Sequence, residues 1–100
     1  MKLFNKRKTN EFPFNDSPNT ACIVCHHVLD NDPILYVSHD EDGMYQFLCG
    51  SNHDAQDARV ISLLEAYHLD YTIGLLKDMP IGYCAIREDK ESDWIIREKQ

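Results

Sequence analysis

The residues best suited to chemistry stand in two short strings. Residues 22–26 read Cys-Ile-Val-Cys-His, and Cys49 is followed four positions later by His53. Thiols and imidazoles so spaced have four ordinary uses. They attach a c-type haem, form a redox dithiol, ligate zinc, or lie in a core as small apolar side chains. Haem attachment through Cys22-x-x-Cys25-His26, with Met79 as a distant axial ligand, takes place after export. The opening MKLFNKRKTNEF carries basic residues with no apolar stretch behind them, so it does not read as an export signal. A redox dithiol needs its first cysteine at a helix N-terminus, whereas Ile23 and Val24 favour a strand.

Zinc is the stronger alternative. Cys22, Cys25, Cys49 and His53 make a C-x2-C…C-x3-H set of three thiolates and an imidazole. A regular strand, however, turns Cys22 and Cys25 to opposite faces. His26 also stands where zinc knuckles usually place a glycine at positive φ. The reading adopted from sequence is therefore that Cys22, Cys25, Cys49 and Cys84 are buried thiols, with no metal and no cofactor. A zinc-stabilised adaptor module built on Cys22, Cys25, Cys49 and His53 is the alternative. His26 and His27 sit side by side in the same expected strand, one facing inward and one outward. His39 with Asp40, Glu41 and Asp42 reads as a charged hairpin tip, since a calcium loop spaces its oxygens differently. No nucleophile elbow, phosphate loop, dinucleotide fingerprint or zincin motif occurs, which points to a non-enzymatic protein.

Charge narrows the partners. The 100-residue chain has a formal charge of -7, with Lys2, Lys6, Arg7 and Lys8 all in its first eight positions. The remainder holds six basic residues against seventeen acidic, a balance of -11. Such a body repels phosphate backbones, so nucleic acid is excluded as a partner of the domain, and a basic protein suits it better. No stretch approaches the roughly 18 apolar residues of a membrane span. Cytoplasmic residence is expected, with thiols kept reduced. Oligomeric state is not readable from these features.

These side chains must be positioned by an α+β fold. Residues 1–20 read as a flexible basic lead-in whose phenylalanines dock on the domain, and residues 21–97 as a single domain. Strands are expected near 22–29, 34–38 and 44–49, joined as an antiparallel meander. Asp30-Asn-Asp-Pro33 marks the first turn and Asp42-Gly43 the second. After a polar loop over 51–57, Arg59–Ser62 reads as a short strand. Ser62-Leu-Leu-Glu65 has capping-box spacing, so a helix starts at Leu63. Asp70 caps a second short helix, Tyr71 to about Lys77, which Pro80 stops. Residues 81–87 are extended, and 94–97 pair with them across the charged turn 88–93. The expected core is Ile23, Leu35, Val37, Phe47, Ile61, Leu64, Leu75, Leu76 and Ile86.

Two segments, Tyr45-Gln-Phe-Leu-Cys-Gly50 and Asp78-Met-Pro-Ile-Gly-Tyr-Cys-Ala-Ile-Arg87, carry a family likeness. With the strands at Ala21–Val28 and Leu35–Val37, and the Leu75–Arg87 segment, the chain resembles a group of small bacterial domains. These are classed with the immunity proteins of polymorphic-toxin systems (the Imm33-like group). The likeness runs from Ala21 to Trp94, about three-quarters of the chain. The stretch between Gly50 and Arg59 is shorter than the family pattern, and the cysteine set lies outside that pattern. The resemblance implies a bacterial, non-enzymatic domain that binds and neutralises a cognate toxin. Candidate contact segments are His39–Gly43, Ser51–Asp57 and Glu88–Asp93, beside Tyr45, Tyr83 and Trp94.

Overall fold

In a computed structural model, which describes residues 12–100, the chain forms one six-stranded sheet with its helices on one face. The strands are β1 (Ala21–Cys25), β2 (Tyr36–His39), β3 (Tyr45–Leu48), β4 (Ala58–Ser62), β5 (Tyr83–Ile86) and β6 (Ile95–Glu98). A single helical turn, α1 (His26–Leu29), follows β1, and α2 (Leu63–Leu69) follows β4. Tyr71–Leu76 forms a 3-10 helix. The α+β class is as expected. No helix among the described residues is long and apolar enough to cross a membrane.

The strand order is β4-β1-β3-β2-β5-β6, which corrects the expected meander. Of the expected meander only β2 and β3 form a hairpin, with Val37 opposite Phe47, while the expected pairing of the last two strands forms as β5 with β6. Its turn is closed by Gly43 at φ 88°, a left-handed conformation that glycine adopts without strain. β1 instead lies between β3 and β4, parallel to the former and antiparallel to the latter. It ends at Cys25, four residues short of the expected strand, because His26–Leu29 turn into a helix.

The expected local caps form. Ser62 Oγ accepts from the Glu65 amide and Glu65 Oε1 from the Ser62 amide, the reciprocal pair that opens α2. Asp70 caps the 3-10 helix by accepting from the Thr72 amide at 2.9 Å.

The core lies between the helices and the face carrying Cys22, Val24, Val37, Phe47 and Ala85, all at 0 % exposure. Val28, Leu63, Ala66, Ile73 and Leu76 close it from above. The domain begins earlier than position 21. Phe14 is buried with its ring 5.4 Å from that of Tyr45, and Phe12 meets Tyr67 edge-on at 6.1 Å. The basic arm falls outside the described residues. Several expected core positions are displaced by one: Ile34 is buried rather than Leu35, Leu63 rather than Leu64, and Val24 rather than Ile23. Leu75 is 76 % exposed, and Ile23, Ile61 and Ile86 are half-buried.

One buried cation locks the fold's far end. Arg87 donates to the Ile34 carbonyl (2.9 Å), Thr72 Oγ1 (3.0 Å) and Asp70 Oδ2 (2.6 Å), and the Trp94 ring covers its guanidinium at 4.0 Å. Burial alone would raise the Asp70 carboxyl. The bonds from Thr72 and Arg87 outweigh it and hold the group below the usual carboxylate range. A group depressed in the folded state stabilises the fold above its unfolded pKa and loses that contribution as pH falls through the folded one. Asp70→Asn should therefore cost about 3 kcal/mol near neutrality, since it leaves Arg87 buried without its counter-charge. The gap from wild type should shrink below about pH 4. Urea unfolding midpoints of both proteins across pH 3–7 measure this, and a gap independent of pH would contradict it.

Candidate functional site

The parallel pairing of β1 and β3 brings the C-terminal ends of both strands to one edge of the sheet. Cys25 is the last residue of β1 and Cys49 the first after β3. The two touch, with the Cys49 amide donating to Cys25 Sγ at 3.3 Å. The turn of α1 then swings His27 over this edge, and the loop after Gly50 returns with His53. His53 Nε2 lies 3.2 Å from Cys49 Sγ, and His27 Nδ1 lies 3.8 Å from the same sulfur. One donor atom from each of Cys25, His27, Cys49 and His53 lies within 4.8 Å of all the others. The two sulfurs are buried and the two imidazoles half-buried.

Next to this group, His26 donates through Nε2 to Asp57 Oδ1 at 3.0 Å, and its ring is 4.1 Å from that of His27. Asp57 is the last residue of a 3-10 turn, Ala55–Asp57, opened by Asp54, whose own amide donates to the Asp57 carboxylate at 3.1 Å. That amide bond comes first among the causes that lower the Asp57 pKa, with the His26 bond adding to it. The pair thus ties the 50s loop back onto α1. Desolvation pushes the Cys25 thiol up, and the Cys49 amide draws it part of the way back.

Of the four sequence candidates, the structure brings together Cys25, Cys49 and His53. Cys22 is separate. It faces the helix side of β1, opposite Ile61 on β4, and burial with the nearby Glu65 charge pushes its thiol up to about 12. His27, which was read as a strand residue beside His26, takes the fourth place. The cue is the alternative spacing Cys25-x-His27 with Cys49-x3-His53, which keeps Cys25 and His27 on one face even of a regular strand. Cys84 is buried on β5, paired with Ser38. His39 is also no open tip residue: its Nδ1–H donates to the Met79 carbonyl at 2.8 Å, and its ring stacks on Tyr45 at 4.0 Å.

A second surface lies on the sheet face away from the helices. The strand registers align Leu48, Tyr36, Ile86 and Ile95 in one row across β3, β2, β5 and β6. The next row runs Val60, Ile23, Gln46, Ser38, Cys84 and Arg97. At its middle, Asp40 accepts from Ser38 Oγ, Gln46 Nε2 and Lys99 Nζ at 2.7–2.9 Å. Burial would raise that carboxyl, but these donors hold it low. Half-buried and exposed apolar side chains thus stretch from the Cys/His edge to the free strand β6. No protein-family model, curated protein or solved structure matches the chain.

The thiols differ in ways that alkylation can read. Cys22, at 0 % exposure with its thiolate disfavoured, should react with iodoacetamide only through unfolding. Peptide mass spectrometry should show its labelling accelerating with urea in step with the global transition. Labelling in native buffer at the rate of a free thiol would contradict the placement.

Proposed function

We propose that this chain is a non-enzymatic protein-binding domain of the toxin-immunity type, whose contact surface is the uncovered sheet face. The observation that carries this reading is the row Leu48–Tyr36–Ile86–Ile95, which ends on an edge strand where Ile95 is 60 % exposed. Apolar area of this kind, contiguous and rimmed by charge, is what protein partners use as an anchor. The acidic balance of the body adds attraction for a basic partner. The resemblance to immunity domains, bacterial and cytoplasmic, agrees with both features.

The geometry revises which residues would meet the partner. Tyr45 is 3 % exposed, and Trp94 lies over Arg87, so neither is a free anchor. Asp40 is engaged by Lys99, Asp42 accepts from the Met44 amide, and Asp89 accepts from Glu91 and Ser92. Their reversal would disturb turns. Glu88 and Glu91, exposed in the connection from β5 to β6, are the better electrostatic probes.

The test is co-expression with a basic toxic protein encoded by the adjacent reading frame. A complex and restored growth are expected. Ile95→Asp should weaken the complex tenfold or more, about 1.4 kcal/mol. Glu88→Lys with Glu91→Lys should slow association and flatten its dependence on salt, leaving dissociation nearly unchanged. Absence of both complex and protection would refute the immunity reading. Binding unaffected by Ile95→Asp would refute the surface.

A further inference from the structure

We propose that Cys25, His27, Cys49 and His53 form a tetrahedral zinc site that pins the 50s loop to the joined ends of β1 and β3. This is independent of the binding reading and replaces the expectation of metal-free core thiols. Zinc bonds of about 2.3 Å to sulfur and 2.0–2.1 Å to nitrogen put the donors of a tetrahedral centre roughly 3.3–3.8 Å apart. Here all four donors fit within 4.8 Å, with the Cys49–His53 and Cys49–His27 separations at 3.2 and 3.8 Å. Small side-chain movements suffice to close the shell.

The donor types add to the geometry. Two imidazole nitrogens converge on one sulfur, at 3.2 and 3.8 Å. With both nitrogens as acceptors and the sulfur as thiolate, all three would offer electron pairs to one cation. Two thiolates and two imidazoles at tetrahedral spacing select zinc over the harder divalent ions, which prefer carboxylate and carbonyl oxygen. The outer shell is also in place. The Cys49 amide points at Cys25 Sγ, the kind of bond that stabilises a ligating thiolate. His26, held by Asp57, packs its ring against His27 and limits how that ring can turn. All four positions are filled by protein, so the site is closed and structural, with no place for a reacting water.

The ligand set makes a discriminating test. The full-length protein is purified without a metal-affinity tag, equilibrated with zinc(II), and assayed by metal analysis, then reloaded with cobalt(II). One zinc per chain is expected, and the cobalt form should show tetrahedral ligand-field bands with thiolate charge transfer. His53→Ala, in an exposed loop, should fold yet bind zinc more than about a hundredfold more weakly, beyond what an outer-shell loss costs. Cys22→Ser and Cys84→Ser should keep the full equivalent, and Cys25→Ser should lose it. Wild-type protein that takes up no stoichiometric zinc overturns the proposal. So does a His53→Ala variant that binds as wild type, or loss of metal through Cys22→Ser. A Cys25–Cys49 disulfide persisting in reducing buffer would overturn it as well. Should Cys25→Ser fail to fold, the cobalt spectrum of wild type still counts the sulfurs, and fewer than two refutes the assignment.

Discussion

The side-by-side, parallel pairing of β1 with β3 is the constraint on which the rest of this structure depends. In a sequential meander the first and third strands also run the same way, but the second lies between them. Their ends would then stand about 10 Å apart, twice the interstrand spacing. Inserting β1 directly against β3 halves that distance and sets Cys25 against Cys49. It also leaves β1 an outer edge, which β4 covers by pairing along all five of its residues. The Cys/His edge and the sheet order are therefore one decision of the fold. Parallel neighbours need a crossover, and here α1, the loop to β2 and the β2–β3 hairpin supply it.

A second fixed point lies across the sheet. Arg87 leaves β5 and is buried among the Ile34 carbonyl, Thr72 and Asp70, so that it joins the β2 approach, the 3-10 helix and the end of β5. A buried guanidinium is costly unless its donors are satisfied in good geometry. Here three of its N–H groups have close acceptors and an aromatic face covers the plane. The two fixed points stand at the same strand end of the sheet, one on β1 and β3 and the other on β5, with β2 between them. Between them the apolar layer of Val24, Phe47, Val37 and Ala85 needs only short helices to seal it.

Much of this was legible where the signal is local. The Ser62–Glu65 box, the Asp70 cap and the Asp42-Gly43 turn each depend on side chains reaching three residues or fewer, and each formed as read. What was not legible is long-range or depends on register. Adjacent apolar pairs such as Ile34-Leu35 and Leu63-Leu64 fit either face, and a one-residue slip exchanges inside for outside. Leu75 is expected inside together with Leu76. The 3-10 helix has three residues per turn, and it buries Ile73 and Leu76 while leaving Leu75 in solvent. His27 escapes the sequence reading for a different reason: the C-x2-C spacing ties Cys25 to Cys22, although Cys25 and His27, two residues apart, share a face even in a strand.

The uncovered face follows from length. The six strands hold 26 of the described residues and the helical segments only 20, 3-10 turns included, so the helical segments suffice for one face only. The other face must then either be polar or find a partner. Its second row is partly polar, with Gln46, Ser38 and Arg97 around the Asp40–Lys99 pair. Its first row is not, and it runs without a charged residue from Leu48 to Ile95. An edge strand bearing such residues is an aggregation hazard unless charge or pairing protects it. On β6 that protection comes from Arg97 and Glu98, next to the acidic turn 88–93, so that each face of the strand carries one isoleucine followed by one charge. The edge thus carries charge beside its isoleucines while the row behind it stays apolar, and it is this contrast between edge and face on which the proposed binding surface rests.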